Sequence, residues 1–190
     1  MPLSLFSKSR GEAEAGRALY EAAVEQARQP VFYARLGVPD SLDGRFDMVA
    51  LHVFLLLHRL KTEGPPGARL AQSLFDTMFQ DMDQSLREMG VGDLGVGRRV
   101  KAMATGLYGR IAAYEAGLAG DDRVLAAALE RNLFGTMPAG RGALASICAY
   151  MRQAAAALAA RPLGDLQTGR VGFGFPPVSE ASLEKQTVSD

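Results

Sequence analysis

Apolar residues recur with a helical period along almost the whole chain, and this pattern limits the fold more than any other feature. Alanine, leucine and methionine are abundant, whereas runs in which β-branched and polar residues alternate are absent. Because such alternation is typical of a half-buried strand, we expect helices rather than sheets. At 190 residues, of which 48% are hydrophobic, the chain is long enough for one domain with a substantial core. The sequence therefore predicts an all-α, single-domain bundle.

About six or seven helices are predicted, separated by glycine and proline. They cover approximately residues 12–28, 31–36, 46–60, 68–89, 96–119, 122–134 and 141–160. Residues 46–60 are apolar nearly all round, which is typical of a helix at the centre of a bundle. The GPPG sequence at residues 64–67 is expected to stop a helix, and Asp121 or Asp122 can cap one.

The two ends of the chain differ in composition from its middle. We expect residues 1–11 to form an N-terminal extension and residues 12–161 to form the helical domain. Residues 162–190 are rich in glycine, proline, serine and threonine, which predicts a tail with little structure of its own.

Charge and cysteine content exclude several classes of protein. A net charge of zero and a pI near 6.7 argue against bulk binding of nucleic acid. The single cysteine, Cys148, rules out an internal disulfide, and its apolar neighbours indicate an inert core thiol. The N-terminus lacks the features of a secretory signal, and the most apolar run, residues 48–57, is too short to cross a bilayer. We expect a cytoplasmic protein with at most peripheral membrane association.

Two groups of side chains are candidates for catalytic or metal-binding sites. His52 and His58 are six residues apart, which places them about 240° apart on a helical wheel and excludes a helical metal pair. Asp76, Asp81 and Asp83 look like the aspartate-rich motif of an all-α prenyl-transferring enzyme. However, Asp76 and Asp83 stand two turns apart, roughly 10 Å, so a solvated face is the preferred interpretation. No catalytic, metal-binding or cofactor-binding residue is predicted.

The predicted helix at residues 96–119 has an unusual surface. Arg98, Arg99 and Lys101 fall in its predicted first turn, where the partial positive charge of a helix N-terminus disfavours cations. A second face consists of small residues, namely Ala102, Gly106, Gly109, Ala113 and Ala116. Glycine inside a helix costs up to about 1 kcal/mol relative to alanine, so Gly106, Gly109 and Gly117 need a reason. Close packing in the bundle and docking of a foreign helix both remain open.

Methionines form a second candidate surface. Met78, Met82 and Met89 share one arc of a predicted helix, and Met103 lies opposite them on the next one. Flexible thioether side chains suit a groove for apolar partners, although core packing explains the same pattern.

The segment GVPDSLDGRFD precedes the apolar helix. Asp40, Ser41 or Asp43 can cap that helix, and Gly37 and Gly44 can relieve backbone strain. We expect this segment to serve the architecture, with Asp43→Ala costing about 1 kcal/mol as the loss of a cap.

Two long segments resemble the ubiquinol–cytochrome c chaperone family. The first is QARQPVFYARLGVPDSLDGRFDMVALHVFLLLHRL at residues 26–60, and the second is LFDTMFQDMDQSLREMGVGDLGVGRRVKAMATGLYGR at residues 74–110. The similarity extends over roughly residues 20–160. The resemblance implies an all-helical protein without catalytic activity or cofactor. Mitochondrial members hold newly made cytochrome b and work with a small partner subunit near the ribosome exit, so the resemblance implies these partners.

The residues and the resemblance together predict an assembly factor that shields apo-cytochrome b. The predicted client-binding residues are Arg98, Arg99, Lys101, Ala102, Gly106, Gly109 and Ala113, together with Asp76 and Asp83. Alternatively, Asp76 and Asp83 simply pair with the cations across the turn at residues 90–97. A small Mg²⁺-dependent enzyme of isoprenoid type, using the three aspartates, is the rival hypothesis. A regulator that binds nucleic acid through the same cations is the third, and the neutral net charge counts against it.

Overall fold

Helices account for the regular structure of the chain. The computed structural model describes residues 3–135, 137–140 and 142–177, with side chains from Arg10 onward. The helices are α1 (Leu3–Ala27), α2 (Leu42–Leu60), α3 (Gly64–Glu88), α4 (Asp93–Ala119), α5 (Asp122–Leu133), α6 (Ala143–Ala159) and α7 (Leu163–Leu166). A π-helical turn, Val31–Arg35, lies between α1 and α2, and a 3-10 turn, Lys61–Glu63, joins α2 to α3. These ranges contain no strand, and the predicted all-α fold is confirmed.

Helix α2 is the centre of the bundle. It packs against α1, α3, α4, α5 and α6. Its buried residues include Met48, Ala50, Leu51, His52, Val53, Phe54, Leu55, Leu56 and Leu60. An apolar surface all round the helix is buried only if neighbours cover every side, so the prediction of a central helix from its composition is confirmed.

Some predicted boundaries were wrong. Helix α1 begins at Leu3 rather than near Glu12, so residues 3–11 of the predicted extension continue the helix. The predicted start of the next helix at residue 68 was wrong, because the GPPG sequence forms the first turn of α3, which begins at Gly64. Proline fits there because the first turn of a helix does not use its N–H groups. The preceding helix does end before it, through the 3-10 turn.

The start of α2 shows which residue caps it. Ser41 is the N-cap, and its side-chain oxygen accepts a hydrogen bond from the backbone N–H of Gly44 at 3.1 Å. Ser41 was one of the three predicted candidates. Asp43 lies in the first turn instead, so the expectation that Asp43→Ala removes the cap was wrong. A Cβ added to Gly44 would lie 2.0 Å from the carbonyl oxygen of Pro39, so this position requires close backbone approach. Gly37 has a φ of 68°, the left-handed conformation that glycine tolerates.

The junction of α4, α5 and α6 explains one of the helical glycines. A Cβ on Gly117 would lie 2.9 Å from the Cα of Leu125, so α4 and α5 approach too closely there for any larger residue. Asp121, one of the two predicted candidates, caps α5 and accepts hydrogen bonds from the N–H groups of Arg123 and Val124 at 3.0 Å. Arg152 on α6 donates to carbonyl oxygens at the end of α4, which have no partner within their own helix.

The predicted tail begins with residues that pack on the bundle. After α7, residues 167–177 form turns and extended chain. Leu166 is fully buried and Phe173 is 4% exposed, so both belong to the core. Gln26 on α1 also donates a 2.7 Å hydrogen bond to the carbonyl oxygen of Gly174. The rest of the predicted tail, residues 178–190, lies outside the described residues.

Candidate functional site

A groove of about 800 Å³ opens on one side of the bundle. It lies between α1, the start of α2, the second half of α3, the middle of α4 and the end of α5. Its apolar lining comprises Val24, Leu42, Phe46, Val49, Met78, Met82, Leu86, Met89, Met103 and Leu133. The structure therefore brings the predicted arc of methionines together with Met103 in one concave surface. Met78 and Met82 are buried in its floor, whereas Met89 is 51% exposed.

The connection between α3 and α4 brings methionines of both helices into the lining of the same groove. Gly90 has a φ of 81°, which allows the chain to leave α3, and α4 begins two residues after Val91. The two helices pack against each other. The rings of Phe75 and Tyr108, with centroids 5.6 Å apart, connect α3 to α4 outside the groove. The α3 arc therefore faces both the core and the groove.

A partly buried ion pair joins α2 to α4 within the groove. Arg110 Nη2 lies 2.5 Å from Asp47 Oδ1, and the guanidinium stacks over Phe46 at 5.6 Å from the ring centroid. Burial raises the pKa of Asp47 to about 6, although Arg110 opposes the shift. Arg110 Nε and the hydroxyl of Tyr114 are buried without a hydrogen-bond partner among the described residues. Polar atoms of this kind cost about 1–3 kcal/mol each, so the site is not optimised for stability alone.

A second acid in the groove is also engaged. The hydroxyl of Tyr20 donates to Asp81 Oδ2 at 2.7 Å. Burial, followed by the contact with Asp81, raises the pKa of Tyr20 well above its usual range. Tyr20 therefore remains a neutral donor, and this hydrogen bond ties α1 to α3 along the groove wall.

Positive charge exceeds negative charge around the groove. The lining contains five arginines, namely Arg28, Arg45, Arg99, Arg110 and Arg131, and three aspartates, namely Asp43, Asp47 and Asp81. Arg45 pairs with Asp40, and Arg110 pairs with Asp47. Arg28, Arg99 and Arg131 are exposed and form no ion pair with any residue that the structure describes. The groove thus combines an apolar floor with unpaired cations.

The predicted client-binding residues divide into two groups. Arg99, Ala102 and Gly106 line the groove. The remaining members, Arg98, Lys101, Gly109, Ala113, Asp76 and Asp83, are not part of its lining. Of these, Ala113 packs partly buried against the core. The structure therefore places one stripe of α4 in the groove.

The reason given for the cations at the start of α4 was wrong. The helix begins at Asp93, so Arg98, Arg99 and Lys101 lie beyond its first turn. Asp93 is the acid in that turn, and Arg87 pairs with it from the end of α3. Helix formation there overrides the low propensity of the glycines at positions 95 and 97.

The alternative in which acids on α3 neutralise these cations was also wrong. Asp83 pairs with Arg87 on its own helix, with Nε 2.6 Å from Oδ2. Asp76 accepts a 2.7 Å hydrogen bond from Gln72. Both contacts join residues four apart, a spacing that brings side chains together on a helix surface.

The helical glycines of α4 have different explanations. Gly117 packs against α5, whereas Gly106 lies in the groove wall, where a Cβ would be 2.9 Å from Arg110 Nη1. A Cβ on Gly109 would have no neighbour within 4 Å. Close packing in the bundle is therefore confirmed for Gly117, whereas docking of a foreign helix at Gly106 stays a prediction.

Sequence reasoning missed Asp47, Arg110 and Tyr114, and also the arginines at positions 28 and 131. Asp47 and Arg110 are separated by 63 positions and lie on different helices. Periodicity relates residues only within one helix, so no local pattern could have paired them. The excess of arginine over aspartate becomes visible only when α1, α4 and α5 are assembled.

The residues considered for metal or acid–base chemistry lie in separate environments. Asp76, Asp81 and Asp83 each engage a different side chain, as described above. His58 contacts Glu115 at 3.1 Å. Cys148 is 2% exposed, and burial raises its pKa to about 11, so the prediction of an unreactive core thiol is confirmed. Within the described ranges, no three histidine, cysteine, aspartate or glutamate side chains are close enough to hold a metal ion.

Comparison with known proteins identifies the family. Residues 34–173 match the family described as "Ubiquinol-cytochrome C chaperone". The chain belongs to this family. A solved relative, titled "Crystal structure of the Cbp3 homolog from Brucella abortus", is 41% identical with a TM-score of 0.79, covering 92% of this chain and 97% of that one. The family predicted from the segments at residues 26–60 and 74–110 is thus confirmed.

Curated relatives of the chain are named as assembly factors. "Ubiquinol-cytochrome-c reductase complex assembly factor 1" of Xenopus laevis is 33% identical over 115 residues, or 60% of this chain and 58% of that protein. "Protein CBP3, mitochondrial" of Saccharomyces cerevisiae is 36% identical over 107 residues, which are 55% of this chain and 32% of that protein. The chain therefore matches less than two thirds of the length of these relatives. In the part of the chain that the structure describes, no helix is long and apolar enough to span a bilayer.

Proposed function

We propose that this member of the ubiquinol–cytochrome c chaperone family binds newly made apo-cytochrome b and assists assembly of ubiquinol–cytochrome c reductase. The groove would seat an apolar segment of the client, on the cytoplasmic side of the membrane. The observation that supports this proposal is the methionine-lined groove, in a protein whose relatives are named as chaperones and assembly factors. This role requires binding and release, and we assign no catalytic residue.

The groove suits a client with an irregular apolar surface. Methionine has an unbranched, polarisable side chain that repacks around different shapes. Leu42 and Met89 are 67% and 51% exposed at the edges of the groove. An occupant that covers them removes apolar surface from water on both sides, which supplies the driving force for holding an unassembled membrane segment.

Capture of cytochrome b by groove variants tests the proposal. Leu42→Glu and Met89→Glu each place a charge at the groove edge, and Leu94→Glu is the matched control, since Leu94 is 90% exposed and outside the groove. We expect co-isolation of cytochrome b from membranes to fall at least about tenfold for the two groove variants, equivalent to about 1.4 kcal/mol, and to persist for the control. Circular dichroism verifies folding. Unchanged capture by folded groove variants would place the client elsewhere, and no capture by the wild-type chain would refute cytochrome b as client.

A pair of glycine substitutions tests the α4 wall. Gly106→Leu fills the groove, whereas Gly109→Leu extends into open space. We expect only Gly106→Leu to reduce capture of cytochrome b. If both substitutions reduced capture equally, the client would instead bind the exposed surface of α4 that contains Arg98 and Lys101. Client binding by those two residues stays a prediction.

A further inference from the structure

Unpaired cations surround an apolar floor in the groove. Arg28 follows α1, Arg99 lies on α4 and Arg131 lies on α5, so three separate elements supply them. None forms an ion pair within the described residues. Two acids of the lining, Asp43 and Asp81, form no ion pair there either, so three such cations face two such acids and the balance is positive. An occupant of purely apolar character would leave this positive charge uncompensated.

The polar contacts inside the groove also leave hydrogen-bonding capacity unused. Arg110 is engaged by Asp47 through one terminal nitrogen, while its Nε has no acceptor. The Arg110 side chain lines the groove and is 21% exposed, although its Nε is buried, so only part of the side chain reaches the groove surface. Arginine carries five N–H donors, and acceptors that satisfy them best are carboxylates.

We infer that the occupant of the groove is an amphipathic helical segment whose apolar stripe is flanked by acidic side chains. This inference rests on the proposed function and specifies its client segment. The apolar stripe contacts Met78, Met82 and Met103, and the acids meet the unpaired arginines. Laying one face of a helix into an apolar groove is an established mode of recognition, and methionine-lined grooves adapt to such faces. Charge complementarity then selects acidic segments over neutral or basic ones.

Matched synthetic peptides provide the test. Three labelled helical peptides of roughly 18 residues, about five turns, share one leucine–alanine stripe and carry glutamate, glutamine or lysine beside it. Fluorescence anisotropy with the full chain measures binding at low and at physiological ionic strength. We expect the glutamate peptide to bind at least about tenfold tighter than the glutamine peptide at low salt. This preference shrinks as salt screens the charges, and the lysine peptide binds weakest.

Neighbouring arginines supply the control variants. Arg99 lines the groove and Arg98 does not, although both are exposed on the same helix. We expect Arg99→Gln, and more strongly the combination with Arg28→Gln and Arg131→Gln, to reduce the glutamate preference, whereas Arg98→Gln leaves it unchanged. These side chains make no ion pair within the described residues, so thermal melts should show the variants folded.

Each outcome decides the inference. Equal affinity for the glutamate and glutamine peptides, or a preference that survives the triple arginine variant, overturns it. If both peptides then bind equally and Met89→Glu abolishes both, the groove still binds apolar segments and the proposed function stands. A further experiment uses phosphatidylglycerol vesicles in place of the peptides. If the chain binds vesicles but no peptide, and the triple arginine variant loses vesicle binding, the arginines form a lipid site and the inference is overturned. Failure of the wild-type chain to capture cytochrome b refutes the proposed function separately.

Discussion

Two buried polar clusters in the same bundle are satisfied to different degrees. In the closed cluster, His52, Tyr150 and Gln26 are linked by hydrogen bonds beneath Phe32 and Phe173. His52 Nδ1–H donates to the carbonyl oxygen of Met48 at 2.8 Å, and the hydroxyl of Tyr150 donates to His52 Nε2 at 2.7 Å. Gln26 donates to Tyr150 at 3.1 Å. Phe173 meets the His52 ring edge to face, with centroids 5.0 Å apart.

The groove cluster, in which Asp47 and Arg110 line the groove and Tyr114 is buried near them, has the opposite character. It holds a charged pair, and two of its buried polar atoms lack partners among the described residues. A fully satisfied polar cluster rigidifies a core, whereas unsatisfied groups cost stability. The comparison indicates that the closed cluster serves the fold, whereas the groove cluster is not optimised for stability alone.

The largest effect should come from removing the aromatic lid of the closed cluster. Phe173→Ala deletes a buried ring that covers His52, and we expect a loss of about 3–5 kcal/mol in the free energy of unfolding, measured with urea. Phe175→Ala is the control, because Phe175 is 71% exposed, and should change stability by less than about 0.5 kcal/mol. Equal effects would show that residues 167–177 do not anchor the closed cluster.

The two clusters should change the stability of the protein in opposite directions as the pH changes. Burial raises the pKa of Asp47 from 3.8 to about 6, so the folded state holds this proton more tightly and stability is lost as pH rises through that window. Burial lowers the pKa of His52 from 6.5 to about 4, so the unfolded state takes up its proton more readily. Stability is then lost as pH falls from about 6.5 to about 4.

Removing either group should leave the pH dependence of stability that the other group contributes. Between pH 4.5 and 6.5, stability of Asp47→Asn should rise with pH and that of His52→Gln should fall, each by about 2–3 kcal/mol at most. Urea titrations at several pH values measure these slopes. Parallel pH profiles for the two variants would contradict the assignment of opposite shifts.

Two tyrosines allow a matched test of hydrogen-bond satisfaction. Tyr150→Phe removes a hydroxyl bonded to His52 and Gln26, leaving a buried ring nitrogen unpaired, and should cost about 1–3 kcal/mol. Tyr114→Phe removes a hydroxyl without a partner among the described residues and should be neutral or slightly stabilising. Differential scanning calorimetry of both variants measures the contrast. A comparable loss for Tyr114→Phe would show that its hydroxyl is satisfied in solution and would weaken the distinction between the clusters.

The smallest effect is expected at the groove edge, where α2 begins. Ser41→Ala removes the N-cap hydrogen bond and should cost about 1 kcal/mol. Asp43→Ala removes only a favourable charge in the first turn and should cost about 0.3–0.5 kcal/mol. Chemical denaturation under identical conditions compares them. A larger loss for Asp43→Ala would restore Asp43 as the cap in solution.

Local sequence patterns predicted helices and caps correctly where the feature depends on residues of a single helix. The all-round apolar composition of residues 46–60 correctly predicted the central helix, and the Asp121 cap was located within its own turn. Errors occurred where a terminus depends on a neighbouring element. Helix α4 begins at Asp93, where Arg87 of α3 pairs with its first residue, so the reason given for Arg98 and Arg99 failed.

The candidate site was predicted only in part. The methionine arc and the stripe containing Ala102 and Gly106 were identified from helical spacing, because both sets repeat within single helices. The Asp47–Arg110 pair could not be identified in this way, since its partners are 63 positions apart and meet only when α2 packs on α4. The predicted tail from residue 162 had little regular structure, but composition did not reveal that Phe173 completes the core.

By itself, the sequence determined the helices, the central position of α2 and the family of the protein. These properties depend on the periodicity and order of residues along the chain, which no packing arrangement alters. Tertiary structure alone decided that methionines and arginines from five helices border one groove, and which polar groups inside it remain unsatisfied. Hydrogen bonds and ion pairs form between side chains within a few ångströms, and distances between helices are set by packing rather than by position in the sequence.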